Sequence, residues 1–261
     1  MSAPLTRRAD LVRDQLAHPP YGTRRPPGAA PPVRLGVSGS GAELLVLAWS
    51  AADLARERAA GTRVLARLGV APGMRVANTL PGALATPGSL LLGDVVEELG
   101  ALDVPLGAVE DGAAARQAWD LLERVTPDVI VLDDATTATF LAAAPPAERP
   151  WWRGIVWLRV GARAARPALP AAAGFAGWQR EWLAVPEATS FVAGTCAAGR
   201  FHVDEGVEAE VVDGVLVLTP LGLEAPLRYV SGVPARVAAE PCPCGAVGTV
   251  LEPCFPDDRA G

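Results

Sequence analysis

The chain has 261 residues, half of them apolar, and a formal net charge of −6 that is spread without acidic or basic runs. This length and composition allow a sizeable buried core, in one large domain or in one domain with a small appendage. The charge argues against a nucleic-acid groove or an anionic membrane surface as a partner. All 23 basic residues are arginine, so a mechanism that needs a lysine amine must take it from another chain.

The sequence also carries no targeting or membrane signal. No apolar run reaches the ~20 residues of a membrane-spanning helix, and the opening MSAPLTRRADLVRDQL lacks the apolar core of a secretory signal. The sequence therefore predicts a cytoplasmic protein. In that reducing compartment the four cysteines are expected to be free or metal-bound rather than paired in disulfides.

Residues 1–32 are predicted to form a proline-rich arm. A short amphipathic helix fits residues 5–16, but six prolines in HPPYGTRRPPGAAPPV prevent it from continuing. Regular structure is predicted to begin near Val33. There, a small-residue loop at residues 36–41 separates two strands.

Strands and helices then alternate. Ser50 is the predicted cap of the first helix. Further strands are predicted at residues 75–80, 103–109, 128–132 and 154–160, and helices between them at residues 89–99, 116–125 and 136–144. Alternation with short Gly/Pro connections predicts an α/β fold with a parallel sheet covered by helices. This core is assigned to residues 33–186, with a surface loop at residues 162–176.

The pattern changes beyond Glu187 to short strands. Two apolar runs flank Asp213-Gly214, which is a strong hairpin signal. Further strands are predicted near residues 227–230 and 249–251. Residues 187–261 are therefore assigned to a small β-rich subdomain attached to the core.

This subdomain contains two clusters of candidate metal ligands. Cys196 and His202 are followed about forty residues later by Cys242 and Cys244. Thiolates and neutral imidazole are the usual ligands of tetrahedral zinc, and three cysteines with one histidine leave no position open for water chemistry. The pattern predicts a structural Zn²⁺ site, with Cys254 as a free thiol or a competing ligand. The alternative is that the cysteines are small buried hydrophobic residues and His202 a surface residue.

Two further features have alternative interpretations. In the segment 37–44, small residues let backbone N–H groups approach a phosphate, and Ser38 and Ser40 offer hydroxyls. A Walker loop would end in Gly-Lys-Ser/Thr, whereas this one carries Glu43, and its composition favours a plain turn. Five of the seven tryptophans lie between residues 151 and 182; they form an aryl-ligand wall or a protein contact, or they pack against the sheet, which is favoured.

Several segments match the motifs of one enzyme superfamily. RLGVSGSGAELLVLAWSAADL is similar to a segment that carries the phosphate loop SSGTTGKP. LAVPE, ending at Glu187, falls on the motif Y-G-x-T-E, and RYVSGV, from Arg228 to Val233, matches RYRTGD. The turn around Cys242 and Cys244 matches a C-x-C-G of zinc-containing members. Over roughly residues 33–250 the chain resembles the phenylacetate-CoA ligases and related adenylate-forming (AMP-dependent synthetase/ligase) enzymes.

The resemblance implies a set of ligands and site residues. ATP or AMP with Mg²⁺ would lie at Ser38, Gly39, Ser40, Gly41 and Arg228. Glu187 would contact Mg²⁺, although by itself it is equally a solvated carboxylate at a strand end. An aryl or acyl carboxylate is the implied substrate. The zinc-containing members have their other two ligands where this chain has Cys196 and His202.

The chain also departs from the superfamily pattern. Glu43 stands where the family has lysine, Leu183 where it has the tyrosine that stacks near adenine, and Val233 where an aspartate holds the ribose hydroxyls. The family's C-terminal domain, with its adenylation lysine, has no counterpart before Gly261. Losing one preorganised transition-state contact commonly costs ~3–4 kcal/mol.

These departures lead to two functional hypotheses, beside a third from another class: a structural or interaction module that uses the tryptophan-rich region as a contact surface. The first is a truncated, degenerate member that has lost autonomous adenylation and CoA-ligase activity and acts as a ligand-binding or partner pseudoenzyme. The alternative is an active acid-activating ligase that a separate C-terminal domain or partner chain completes.

Overall fold

The described part of the chain forms one 12-stranded sheet and a separate two-stranded hairpin. The structure, a computed structural model, describes residues 3–25, 28–81, 87–161, 175–223 and 225–255. The helices are α1 (Arg8–Ala17), α2 (Ala51–Arg67), α3 (Pro87–Glu98), α4 (Gly112–Val125) and α5 (Asp134–Ala142). The strands are β1 (Leu5–Thr6), β2 (Arg34–Ser38), β3 (Leu45–Trp49), β4 (Arg75–Asn78), β5 (Leu102–Pro105), β6 (Val129–Leu132), β7 (Gly154–Val160), β8 (Trp178–Val185), β9 (Thr189–Thr195), β10 (Phe201–Val203), β11 (Val207–Val212), β12 (Val215–Pro220), β13 (Arg228–Val237) and β14 (Val250–Pro253).

The first half of the large sheet is parallel. Strands β5, β4, β6, β7 and β8 lie side by side in that order. Along β6, Val129 and Val131 pack in one hydrophobic cluster with α2 and α3, whereas Ile130 and Leu132 pack in another with α4 and α5. Since alternate residues of a strand face opposite sides, helices cover both faces. The predicted parallel α/β sheet is confirmed for this half.

The second half of the sheet begins with β9, which is antiparallel to β8, and continues in the order β10, β14, β13, β12, β11. Asp213 and Gly214 join β11 to β12 with φ of 51° and 77°, as a two-residue hairpin turn requires, so the predicted hairpin is confirmed. Strand β8 pairs with both β7 and β9, and the sheet therefore continues across residues 186/187. The assignment of residues 33–186 and 187–261 to separate units stays a prediction.

The N-terminal arm packs on the fold. Leu5 and Thr6 pair in parallel with Arg228 and Tyr229 of β13, and the helix of this segment begins at Arg8, slightly later than the sequence pattern predicts. The Gln15 side chain hydrogen-bonds both the N–H and the C=O of Val46. The arm thus connects strand β13 of the large sheet to the β2–β3 hairpin.

Helix capping and tryptophan packing follow the sequence. Ser50 Oγ accepts from the N–H of Asp53 at 3.2 Å, so the predicted cap is confirmed. Trp152, Trp157 and Trp182 are buried in the core, which confirms packing as the role of these three side chains. Most of the predicted surface loop, residues 162–174, lies outside the described residues. Of the helices that the structure describes, none is long and apolar enough to cross a membrane.

Candidate metal centre and loop site

The four predicted metal ligands come together in space. The ligand atoms of Cys196, His202, Cys242 and Cys244 all lie within 4.8 Å of one another, and we call this set the Cys/His cluster. The Sγ atoms of Cys196 and Cys242 are 3.5 Å apart, and Cys244 Sγ is 3.3 Å from Nε2 of His202. Ligands around tetrahedral zinc are separated by about 3.5–3.8 Å, given Zn–S and Zn–N bonds of about 2.3 and 2.0–2.1 Å.

Two tight turns and one strand position these ligands. Cys196 opens the turn from β9 to β10, in which Gly199 donates to the Cys196 carbonyl at 2.9 Å. His202 lies in β10 between β9 and β14. Cys242 and Cys244 lie in the connection from β13 to β14, where Gly245 donates to the Cys242 carbonyl at 3.0 Å. A metal ion at this point would join the two connections.

The protonation properties of two of the ligands, His202 and Cys196, suit a metal ion. Burial, together with the charges of Arg67 and Arg200, lowers the pKa of His202, which favours the neutral imidazole that metals bind. Burial alone would raise the pKa of the Cys196 thiol, but hydrogen bonds from backbone N–H groups and from the neighbouring thiols outweigh burial and lower it. Metal ligation uses the thiolate.

The donor set therefore fits a metal ion, and Nε2 of His202 is the nitrogen that faces it. Nδ1 is buried without a hydrogen-bond partner among the described residues. Cys254 is outside the cluster, and its thiol donates to the Glu252 carbonyl at 3.9 Å. Of the two alternatives for Cys254, the structure favours the free thiol, because Cys254 is not among the four clustered ligands.

The second candidate site surrounds the segment that resembles a phosphate loop. Ser38 ends β2, Gly39 and Gly41 have φ of 77° and 58°, and a 3₁₀ turn covers Gly41–Glu43 before β3 begins. The predicted strand, loop and strand are confirmed. Glu187 approaches this loop and accepts a hydrogen bond from Ser38 Oγ at 2.5 Å. We call residues 38–43 with Glu187 the loop site.

An arginine from the N-terminal arm fills the loop site. Arg8 donates to the carbonyls of Ser38 at 2.8 Å and Glu43 at 2.6 Å, and to Ser38 Oγ at 3.1 Å. It also forms an ion pair with Glu187. A Cβ added to Gly39 would lie 2.1 Å from Nη2 of Arg8, so this glycine permits the guanidinium to lie directly against the loop backbone.

Buried groups surround the ion pair. The Glu187 side chain is only 8% exposed, and Tyr229 of β13 is 3% exposed. Burial, followed by the negative charge of Glu187, raises the pKa of the Tyr229 hydroxyl, which therefore stays protonated at neutral pH. The site is thus a compact network in which Arg8 supplies the positive charge.

The other residues named by the sequence resemblance lie elsewhere. The Arg228 side chain donates to Glu210 at 2.5 Å, and among the described residues it forms no hydrogen bond or ion pair with the loop. Leu183 and Val233 are fully buried in an apolar cluster with β12. Ser40, Gly39 and Gly41 remain exposed at the loop. The structure therefore brings Ser38 together with Glu187 but leaves Arg228 with a different partner.

Sequence reasoning missed Arg8, which binds Ser38, Glu43 and Glu187 in the loop site. Arg8 is separated from Glu187 by 179 positions, and it is one of 23 basic residues of the same type. Glu43 at the position of the superfamily's loop lysine was the available signal. A loop without its own cation can be completed by a cation from another segment of the chain.

Comparisons with known proteins show which fold this is. Neither protein-family models nor curated proteins give a match. Among solved structures, 2-hydroxyisobutyryl-CoA ligase with 2-HIB-AMP and CoA is similar with a TM-score of 0.79 and 18% identity, over 97% of this chain and 62% of that chain.

Two further solved structures are similar at lower TM-scores. An acyl-CoA synthetase (AMP-forming)/AMP-acid ligase II-like protein from Dyadobacter fermentans has a TM-score of 0.55 and 12% identity, over 87% of this chain and 61% of that chain. An anthranilate CoA ligase in complex with anthranoyl-AMP has a TM-score of 0.54 and 16% identity, over 83% of this chain and 46% of that chain. The chain spans less than two thirds of each of these three proteins, and it has the fold of adenylate-forming acid–CoA ligases.

Proposed function

We propose that this chain is a phenylacetate-CoA ligase-like protein that has lost autonomous adenylation and CoA-ligase activity, and that it acts by binding a ligand or a partner. The observation that carries this proposal is Arg8 in the loop site. Its guanidinium lies against the carbonyls of Ser38 and Glu43 and against Glu187, in the space that nucleotide phosphates would approach in an active relative.

The charge arrangement supports this interpretation. A phosphate loop binds anions through free backbone N–H groups and a cation. Here the cation is already paired with Glu187, and Glu43 at the exposed end of the loop adds a negative charge. An incoming triphosphate would have to displace a partly buried ion pair, and Glu187 would have to exchange Arg8 for Mg²⁺.

The residues matched to nucleotide contacts support it further. Leu183 and Val233 are fully buried among apolar side chains, and neither can accept a hydrogen bond from adenine or ribose. All basic residues are arginine, so this chain has no lysine to serve adenylation. The superfamily's lysine, tyrosine and aspartate contacts to the nucleotide are therefore absent together. One preorganised contact to a transition state is commonly worth about 3–4 kcal/mol, so their combined loss should leave adenylation weak or absent.

The Cys/His cluster completes the proposal. We assign it a structural Zn²⁺ held by Cys196, His202, Cys242 and Cys244, since this closed donor set leaves no position for a reactive water. When bound, the ion would link the β9–β10 turn to the β13–β14 connection. Thiolate ligands of this kind suit a reducing compartment, which agrees with the predicted cytoplasmic location.

Calorimetry with ATP and AMP on protein of known metal content tests the proposal. We expect about one zinc per chain and no nucleotide binding, and no ATP–pyrophosphate exchange with aryl or acyl acids. The sample should first be shown to be folded by circular dichroism. Exchange above background by the purified chain would refute the loss of activity.

One observation favours a second candidate. Glu187 is retained beside Ser38, as an active site with Mg²⁺ would need. In this alternative the chain is an acid-activating ligase whose lysine comes from a separate C-terminal domain or partner chain. Activity that appears only when such a chain is mixed with this one, and that disappears in Glu187→Gln, would select it.

A further inference from the structure

A cavity of about 320 Å³ lies between the N-terminal arm, strand β3, helix α2 and the turn that follows β12. It is distinct from the Cys/His cluster, and Glu187 is the residue that it shares with the loop site. Apolar side chains from three segments form much of its wall: Leu11, Leu45, Leu47, Trp49, Leu221 and Leu227. The cavity thus has an apolar wall and is bordered on one side by the arm, and charged side chains line the rest of it.

The five carboxylates that line the cavity already have partners. Glu57 accepts from the N–H of Ser190 at 2.9 Å, and Asp204 accepts from Arg63 at 2.7 Å. Asp14, Asp53 and Glu187 accept from Thr23, Ser50 and Ser38, respectively. None of these acidic groups therefore depends on a ligand for its hydrogen bonds.

Three of the four lining arginines are also satisfied. Arg25 donates to the Ala48 carbonyl at 3.1 Å, and Arg56 and Arg63 form ion pairs with Asp53 and Asp204. The fourth, Arg24, has neither a hydrogen bond nor an ion pair with any residue in the part of the chain that the structure describes.

Arg24 is therefore a cation that lines the cavity without a direct counter-ion among the described residues. Its side chain is partly buried, and burial lowers its pKa, while the charge of Asp14 acts in the opposite direction. Removing a cation from water without pairing it is unfavourable. A ligand that brings a negative charge would offset this cost, and the planar guanidinium matches a carboxylate with two parallel hydrogen bonds.

We infer that this cavity binds a small amphipathic carboxylate, with its head on Arg24 and its apolar part against Leu11, Leu45 and Trp49. The cavity volume is at the lower end of the range for small-molecule sites, which fits a small aromatic or short aliphatic acid. This inference rests on the proposed ligand-binding role. It gives that role a location away from the loop, in a site that the N-terminal arm completes.

Matched pairs of an acid and its neutral amide test the inference on the unmodified chain. Benzoate and benzamide, and hexanoate and hexanamide, are titrated by calorimetry. Each pair has one shape and differs in charge, so we expect the acid to bind at least about tenfold more tightly than its amide, which corresponds to about 1.4 kcal/mol. Equal affinities within each pair, or no binding of either acid in the millimolar range, would overturn the inference.

Variants then assign the charge preference to Arg24. Arg24→Gln should reduce the affinity for the acid to that for the amide and leave amide binding unchanged. Arg13→Gln is the control, because Arg13 lies on the same arm with a side chain that is 76% exposed, and it should bind like the unmodified chain. An Arg24→Gln protein that is folded and keeps the full acid preference would contradict the assignment.

A second variant at position 24 and titrations with nucleotides complete the test of the cavity. Arg24→Lys retains the positive charge if Arg24→Gln proves unstable, and it should still prefer the acid, though with weaker binding. ATP and AMP are titrated in the same series, so that a result at the loop site is separated from a result at this cavity.

Discussion

The Cys/His cluster and the loop site both connect distant parts of the chain, but they differ in where the positive charge comes from. The cluster brings together three thiols from two connections of the β-rich half and the buried imidazole of His202 from strand β10. The loop site brings together Ser38, Glu187 and the guanidinium of Arg8. The ligands of the cluster would bind a metal cation from solution, whereas the loop site contains the guanidinium of Arg8 as its cation.

This difference predicts how each site depends on its surroundings. Packed thiols without a metal ion leave polar and partly ionised groups with little compensation, so the β-rich half should depend strongly on bound metal. The loop site is satisfied by contacts within the chain, so its stability should not depend on nucleotide. We therefore expect the stability of the chain to depend on a metal ion at the Cys/His cluster and not on a nucleotide at the loop site.

The largest effect is expected from removing one thiol of the cluster. Cys196→Ser deletes a ligand that is 5% exposed and should abolish zinc binding. Structural zinc sites contribute about 10–16 kcal/mol in isolated zinc-finger peptides, so we expect a loss of at least about 3 kcal/mol in the free energy of unfolding. Metal content and urea unfolding measure the two effects.

The matched control for this variant is Cys254→Ser. Cys254 lies outside the cluster, so this change should leave metal content and stability close to those of the unmodified chain. If the unmodified chain purified from zinc-containing medium holds no metal, or if Cys196→Ser and Cys254→Ser are equally stable, the cluster is not a zinc site.

A smaller effect is expected when Val233 is replaced by the aspartate of the superfamily motif. Val233 is fully buried in an apolar cluster, so Val233→Asp places a carboxylate where no partner awaits it. We expect a loss of about 3 kcal/mol without any gain in AMP binding, measured by urea unfolding and calorimetry. Val237→Asp, on the same strand at a position that is 48% exposed, should cost less than about 0.5 kcal/mol.

The two Val→Asp variants have a clear contrary outcome. Equal stability of the two proteins would mean that position 233 is open to solvent. Tight AMP binding by Val233→Asp would mean that the nucleotide site has been retained apart from one residue.

Parts of both sites could be predicted from sequence because their signals are local. Cys196 and the Cys242/Cys244 pair belong to tight turns with their own glycines, Gly199 and Gly245, and the Asp213-Gly214 hairpin fixes the register of the strands between them. The helices of the α/β half follow from periodicity and from the Ser50 cap.

Other parts could not be predicted because they depend on contacts between distant residues. Strand β8 carries Arg180 and Glu181 within its apolar run. These charged residues interrupt the apolar pattern that predicts a buried strand. In the folded sheet, Arg159 of β7 donates to the Glu181 carboxylate at 3.1 Å. Arg24 and Arg8 belong to a proline-rich segment whose composition predicts an arm, and nothing in its pattern indicates which surface the arm covers.

The smallest effect is expected from Arg8→Ala, which separates the contribution of the arm from that of the sheet. The change removes the ion pair with Glu187 and three hydrogen bonds to the loop. Hydrogen bonds to charged groups are worth about 1.5–3 kcal/mol, and part of this value should be recovered when water enters the site. We expect a loss of about 1–2 kcal/mol in the free energy of unfolding, together with faster amide hydrogen exchange at residues 38–43. Arg13→Ala, on the exposed side of the same helix, should change neither quantity measurably. If Arg8→Ala leaves exchange at the loop unchanged, Arg8 does not hold the loop, and the contrast between the two sites fails.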